Sequence, residues 1–182
     1  MNATRSIAVL CVGEKTNYSK IGGLELYGVN RPAESFTGKI PVISHPPCRS
    51  WSAFCSHQVK ELRPGERELA FFCIEQVKKN GGILEQPAHS RLWEAAKLPL
   101  PGKASYPFYT IEVWQAWWGY PTQKTTWLLL SKIKPEHVKP PLKLHAEGRD
   151  RHTFAQMSHN QRSRTCPAMC EWLVELASHT DL

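Results

Sequence analysis

Two consecutive prolines, Pro46 and Pro47, stand two residues beyond the apolar run Ile40-Pro41-Val42-Ile43. Neither offers a backbone N–H and each fixes φ, so a strand over the apolar run cannot continue through them. The chain must leave its sheet there in a stiff loop of defined path. Cys48 ends that loop, within Ser44-His45-Pro46-Pro47-Cys48-Arg49-Ser50-Trp51-Ser52. The backbone therefore sets where the thiol sits. His45 and Arg49 beside it favour the thiolate, the form a cysteine nucleophile needs. The plainer use of the same residues is a proline-stiffened turn with a half-buried thiol.

The rest of the chain alternates strands with helices. Ser6 to Val12 reads as a buried strand, Leu24 to Val29 as a second and Ile40 to Ser44 as a third. A helix follows Pro64. Glu66 and Glu68 suit its first turn, Lys78 and Lys79 its last, and Asn80-Gly81-Gly82 stops it. Leu69, Phe72, Cys73 and Val77 form its apolar stripe. Ile83-Leu84-Glu85 reads as a strand ending at Pro87, Ser90 to Lys97 as a short helix, and Leu98 to Pro107 as a loop. Tyr109 to Trp114 and Thr126 to Ile133 read as strands, and Pro167 opens a last helix with Met169, Trp172, Leu173 and Leu176 on its apolar face. This alternation predicts an α/β fold, three-layer and Rossmann-like, with a mostly parallel sheet. The expected organisation is a core over 1–133, a polar basic segment over 134–165 and a C-terminal helix over 166–182 that packs on the core.

A chain of 182 residues with 41% apolar content and seven tryptophans buries a real core. It has no apolar run long enough for a membrane span and no convincing signal peptide, so a cytoplasmic setting is expected. Six irregularly spaced cysteines in a chain of this size read as thiols rather than a disulfide scaffold. A net charge of +7, from 23 basic and 16 acidic residues, favours polyanionic partners. Nucleic acid or a nucleotide is the expected partner class, and a homo-oligomer is left open. Cys166 and Cys170 share a helix face, but no nearby pair completes a zinc spacing, so no metal is expected. Trp114, Trp117 and Trp118 are candidates for stacking on a base, although core packing is the commoner use.

Ligands of such sheets bind at the carboxyl ends of the strands. Pro47-Cys48 and Glu85-Gln86-Pro87 both fall at strand ends, and Gly119-Tyr120-Pro121-Thr122-Gln123-Lys124 leads into a strand. In this order, the three segments resemble the catalytic core of DNA cytosine-5 methyltransferases. That family has a Pro-Cys loop, a Glu-Asn strand end and a Gly-x-Pro-Gln-x-Arg-x-Arg segment. Gln86 stands where Asn is usual, and Lys124 stands in place of the first arginine. The resemblance covers roughly residues 40–130 and extends to small methyltransferase-like proteins of bacteriophages. The residues from Lys134 to Thr165 are too few for the family's target-recognition domain.

The resemblance implies Cys48 as nucleophile toward C6 of a pyrimidine and Glu85 as its partner at N3, with modification at C5. His45, Arg49, Ser52, Arg91 and Lys124 are the implied substrate-binding residues. S-adenosylmethionine is the implied cofactor, at Val12, Asn17 and Tyr18. The loop Val12-Gly13-Glu14-Lys15-Thr16-Asn17-Tyr18 carries one glycine where the family is Gly-rich. It therefore predicts weak S-adenosylmethionine binding and a preference for a phosphate-bearing nucleotide. The alternative function is a phage nucleotide-binding protein that sequesters or degrades a host nucleotide signal.

Overall fold

The computed structural model describes residues 6–51, 64–141, 156–158 and 164–181. Six strands form one sheet: β1 Ile7–Val12, β2 Leu24–Gly28, β3 Val42–Ser44, β4 Gly82–Pro87, β5 Phe108–Trp114 and β6 Thr125–Ser131. Among the described residues, three α-helices accompany them: α1 Glu66–Asn80, α2 Leu92–Ala95 and α3 Pro167–Ser178. The strand order is β2-β1-β3-β4-β6-β5. β1 to β4 run parallel to one another, while β6 lies antiparallel between β4 and β5. The fold is thus α/β with a mostly parallel sheet, as the alternation predicts. β6 is the strand that departs from a uniform parallel order.

Strand alternation divides the core in two. Val9, Ile43, Ile83, Leu128 and Leu130 cluster with Met169, Leu173 and Leu176 of α3. Leu10, Val42, Leu84 and Leu129 cluster with Ala70, Cys73, Ile74 and Val77 of α1 and with Leu92 and Trp93 of α2. The buried stripe of α1 is Ala70, Cys73, Ile74 and Val77, at i, i+3, i+4 and i+7. Leu69 and Phe72, expected at its centre, pack at its margin. Met169, Trp172, Leu173 and Leu176 of α3 are all buried, as expected.

Two local features shape the edge where the strands end. Cys11 has φ of 63° and interrupts the pairing of β1 with β2 between Leu10 and Val12. This extra residue is a bulge, which turns the end of β1 and the loop beyond it. Gly81, with φ of 76°, ends α1 and donates its N–H to the Val77 carbonyl at 2.9 Å. The chain thereby reverses straight into β4.

Candidate functional site

β2 lies on one side of β1 and β3 on the other, so the chain direction across the sheet switches at β1. The crevice beyond the carboxyl ends of β1 and β3 is where open α/β sheets bind ligands. A cavity of about 570 Å³ opens there, a size that suits a small-molecule or nucleotide ligand. The loop after β1, the Pro-Pro-Cys loop after β3 and the end of β4 all line it. Because β6 is antiparallel, its start lies at the same edge as the end of β4, with Thr126 opposite Pro87. That register brings Lys124 into the same cavity. His45 and Cys48 of one loop therefore share one space with Glu85 and Lys124 from two distant stretches of the chain.

One glutamine and one carboxylate anchor the proline loop. Gln86 donates its Nε2 hydrogen to the Pro46 carbonyl and accepts from the Ser90 hydroxyl at 3.3 Å. It ties the proline loop to β4 and so fixes Cys48 relative to Glu85. Beyond Cys48, Arg49 donates from Nε to both oxygens of Glu66, at 2.8 and 2.9 Å, and Ser50 adds a bond at 2.9 Å. Arg49 thus anchors the loop to the first turn of α1 and does not line the cavity. Its guanidinium pKa is raised chiefly by the Glu66 hydrogen bond, against a smaller opposing effect of burial, with the Glu66 and Cys48 charges adding to the rise. Arg91 is exposed; its backbone N–H bonds the Trp51 carbonyl at 2.9 Å, and it also lies off the cavity lining. Ser52 lies outside the described residues.

The imidazole of His45 is committed to two other side chains. Its Nδ1 meets Glu85 Oε2 at 3.0 Å and its Nε2 meets the Tyr18 hydroxyl at 2.9 Å. Glu85 Oε1 accepts from Gln115 Nε2 at 3.2 Å. Asn17 donates to the Thr165 carbonyl at 2.8 Å and Lys124 to the Arg164 carbonyl at 3.2 Å. Two cavity side chains from different elements therefore hold the short stretch that leads into α3. Val12 is half-buried against the core. Tyr18 is buried, 2% exposed, so its ring belongs to the core and only its hydroxyl serves the site. Cys48 is exposed at the rim. Cys170 of α3, Arg164 and Thr165 complete the lining. Sequence reasoning did not foresee Gln115 or these three as members of the site.

Electrostatics follow from that packing. Burial raises the Glu85 pKa, but the His45 hydrogen bond, the His45 charge and the Lys124 charge together hold it below its ordinary value of 4.5. Burial lowers the Lys124 pKa, with Glu85 opposing that shift. Burial, followed by the Cys170 and Glu85 charges, raises Tyr18 well above its ordinary range, so the phenol keeps its proton. A carboxyl with a folded pKa below its unfolded one stabilises the fold fully above the unfolded value. That contribution is lost as pH falls through the folded value. Glu85→Gln is expected to remove this acid-linked loss. Denaturant midpoints measured across pH should flatten below about 4.5 relative to wild type.

Of the aromatic candidates, Trp118 is buried against Trp172, with ring centroids 4.6 Å apart, and serves the core. Trp114 and Trp117 stay half-buried. Cys166 donates to the Trp118 carbonyl at 3.5 Å. Among the described residues, no cluster of three or more His, Cys, Asp or Glu side chains is arranged to hold a metal, and no helix is long and apolar enough to cross a membrane. No protein-family model matches the chain, and no curated protein or solved structure shows significant similarity to it.

Proposed function

We propose that the cavity binds a pyrimidine of a nucleotide or nucleic acid, a cytosine in the first instance, and activates it for modification at C5 through Cys48. The observation that carries this reading is the joint lining of one cavity by Cys48, Glu85 and Lys124 at the switch point of the sheet. The division of the core between α1 and α3 supports a three-layer, Rossmann-like arrangement beneath it. It is the scaffold that the likeness to DNA cytosine-5 methyltransferases implies.

In this reading the Cys48 thiolate adds to C6. The C5–C6 double-bond electrons move onto C5 and the conjugated ring edge, where Glu85 and Lys124 provide an acceptor and a cation. C5 is now nucleophilic. With water as the only electrophile, C5 takes up a solvent proton. It then loses its original hydrogen as the thiolate leaves. The net result is exchange of the C5 hydrogen with solvent. A base within a duplex must first be flipped out of the stack.

S-adenosylmethionine fits the loop after β1 poorly in this proposal. Asn17 is spent on the Thr165 carbonyl and Tyr18 on His45. Gly13 has no atom within 4 Å of where a Cβ would stand, so the single glycine serves no close approach within the protein. Glu14 adds negative charge to the lining. These same features favour the second reading, a nucleotide-binding protein that sequesters a nucleotide signal.

Proton NMR in D₂O, following the C5 hydrogen of cytosine and uracil nucleotides and of single-stranded oligonucleotides, separates the two. Loss of the C5–H signal at a rate proportional to protein supports activation. Tight nucleotide binding with the signal retained supports the second reading.

A further inference from the structure

Glu85 receives hydrogens from two directed chains. On one side, the Thr126 hydroxyl donates to the Lys124 carbonyl at 3.1 Å, so its oxygen meets Gln115 as an acceptor. Gln115 Nε2 therefore donates to Thr126 at 3.0 Å, and its second N–H goes to Glu85 Oε1 at 3.2 Å. The amide oxygen of Gln115 is left buried without a hydrogen-bond partner. Turning the amide over would set that oxygen against a carboxylate oxygen and against a hydroxyl with no hydrogen to give. On the other side, the Tyr18 hydroxyl meets His45 Nε2 at 2.9 Å, and His45 Nδ1 meets Glu85 Oε2 at 3.0 Å with the carboxylate as acceptor. Gln115 itself is fully buried, in the 3-10 turn Gln115–Trp118 that follows β5. An orphaned buried oxygen calls for an explanation, and here the two N–H bonds of the same amide supply one, since both are spent on Thr126 and Glu85.

We propose that Gln115 is a positioning residue for Glu85: with His45 it clamps the two carboxylate oxygens, so that the cavity presents an ionised acceptor to its ligand. The ligand group that meets Glu85 must then supply a hydrogen, as the exocyclic amino group of cytosine or the ring N–H of uracil does. This inference rests on the pyrimidine reading for its ligand but not for its geometry. The titratable groups facing Glu85 are His45 from the loop after β3, Lys124 before β6, Tyr18 after β1 and Cys170 on α3. None of them is altered by a change at Gln115.

The test is a carboxyl ¹³C NMR titration of Glu85 in the full chain, for wild type, Gln115→Leu and Gln115→Glu, with the pH profile of C5–H exchange measured in parallel. Loss of the donor in Gln115→Leu is expected to raise the Glu85 pKa. The second carboxyl in Gln115→Glu is expected to raise it further. The limb of the exchange profile set by Glu85 should move to higher pH with it. An unchanged Glu85 titration in both folded variants overturns the proposal, as does a rate loss with no movement of the pH profile. Should the leucine variant not fold, Gln115→Asn shortens the reach and must give the same upward direction. A shifted titration in a protein that exchanges no C5 hydrogen would uphold the clamp and overturn the activating function.

Discussion

Replacing Cys48 by serine is expected to abolish exchange of the pyrimidine C5 hydrogen, by on the order of 10³-fold or more, since the whole reaction depends on the nucleophile. Serine is nearly isosteric with cysteine, but its hydroxyl is far less acidic than a thiol, and the ring nitrogens of His45 are held by Glu85 and Tyr18. Cys48 is exposed, so the substitution should change stability by no more than about 0.5 kcal/mol. Nucleotide affinity should also persist, since Lys124, Glu85 and the loop after β1 are untouched. The expected result is therefore a folded protein that binds and does not exchange. Wild-type exchange in the serine variant would remove Cys48 from the chemistry and leave it a rim residue of a binding cavity.

Gly82→Ala is expected to be the most destabilising single change in the sheet. Gly82 has φ of 121°, and a Cβ there would lie 2.0 Å from the Val42 carbonyl oxygen and 2.7 Å from the Val42 nitrogen. Those are backbone atoms of β3, and Val42 is the residue paired with Gly82. The clash cannot be relieved by a rotamer. It requires β4 to separate from β3 or to change its backbone conformation. The cost should be on the order of 4 kcal/mol or more, in the range reserved for backbone strain and lost core packing. Denaturant unfolding followed by tryptophan fluorescence would measure it. Because the β3–β4 pair holds the Cys48 loop beside Glu85, nucleotide binding should fall with the stability. A Gly82→Ala protein as stable as wild type would contradict the close strand pairing on which the site depends.

What could be read from the chain beforehand was mostly what is local. Pro46-Pro47 had to end a strand, and Asn80-Gly81-Gly82 had to end a helix. The first rule placed Cys48 at a strand end, Pro87 did the same for Glu85, and the structure sets both on one cavity. The spacing of Met169, Trp172, Leu173 and Leu176 likewise marked the buried face of α3. What stayed hidden depends on long-range placement. The insertion of β6 between β4 and β5 is a pairing choice that its apolar run Trp127-Leu128-Leu129-Leu130 does not encode by periodicity alone. Gln115 reads as an ordinary polar residue between two tryptophans, and only the β5–β6 register carries it to Glu85, 30 residues away in sequence. Arg49 sits one residue from the thiol, yet its guanidinium turns to Glu66 on α1. Tyr18 falls in the expected cofactor loop, but burial makes its hydroxyl a partner of His45 instead. Adjacency in sequence indicated which loop mattered, while the direction of each side chain was set by what packed behind it.

The most direct measurement of the central claim is a mass spectrum of the intact protein after incubation with 5-fluoro-2′-deoxycytidine and 5-fluoro-2′-deoxyuridine monophosphates, followed by peptide mapping. Addition of the Cys48 S–H across C5 and C6 joins protein and nucleotide with no atom lost, and because the proton taken up at C5 can leave again with the thiolate, the mixture is quenched in acid to hold the adduct for the spectrum. The account predicts a mass increase equal to the whole nucleotide, located on the peptide that contains Cys48 and missing in Cys48→Ser. An adduct on another cysteine, or none at all while the nucleotide binds tightly, would contradict it.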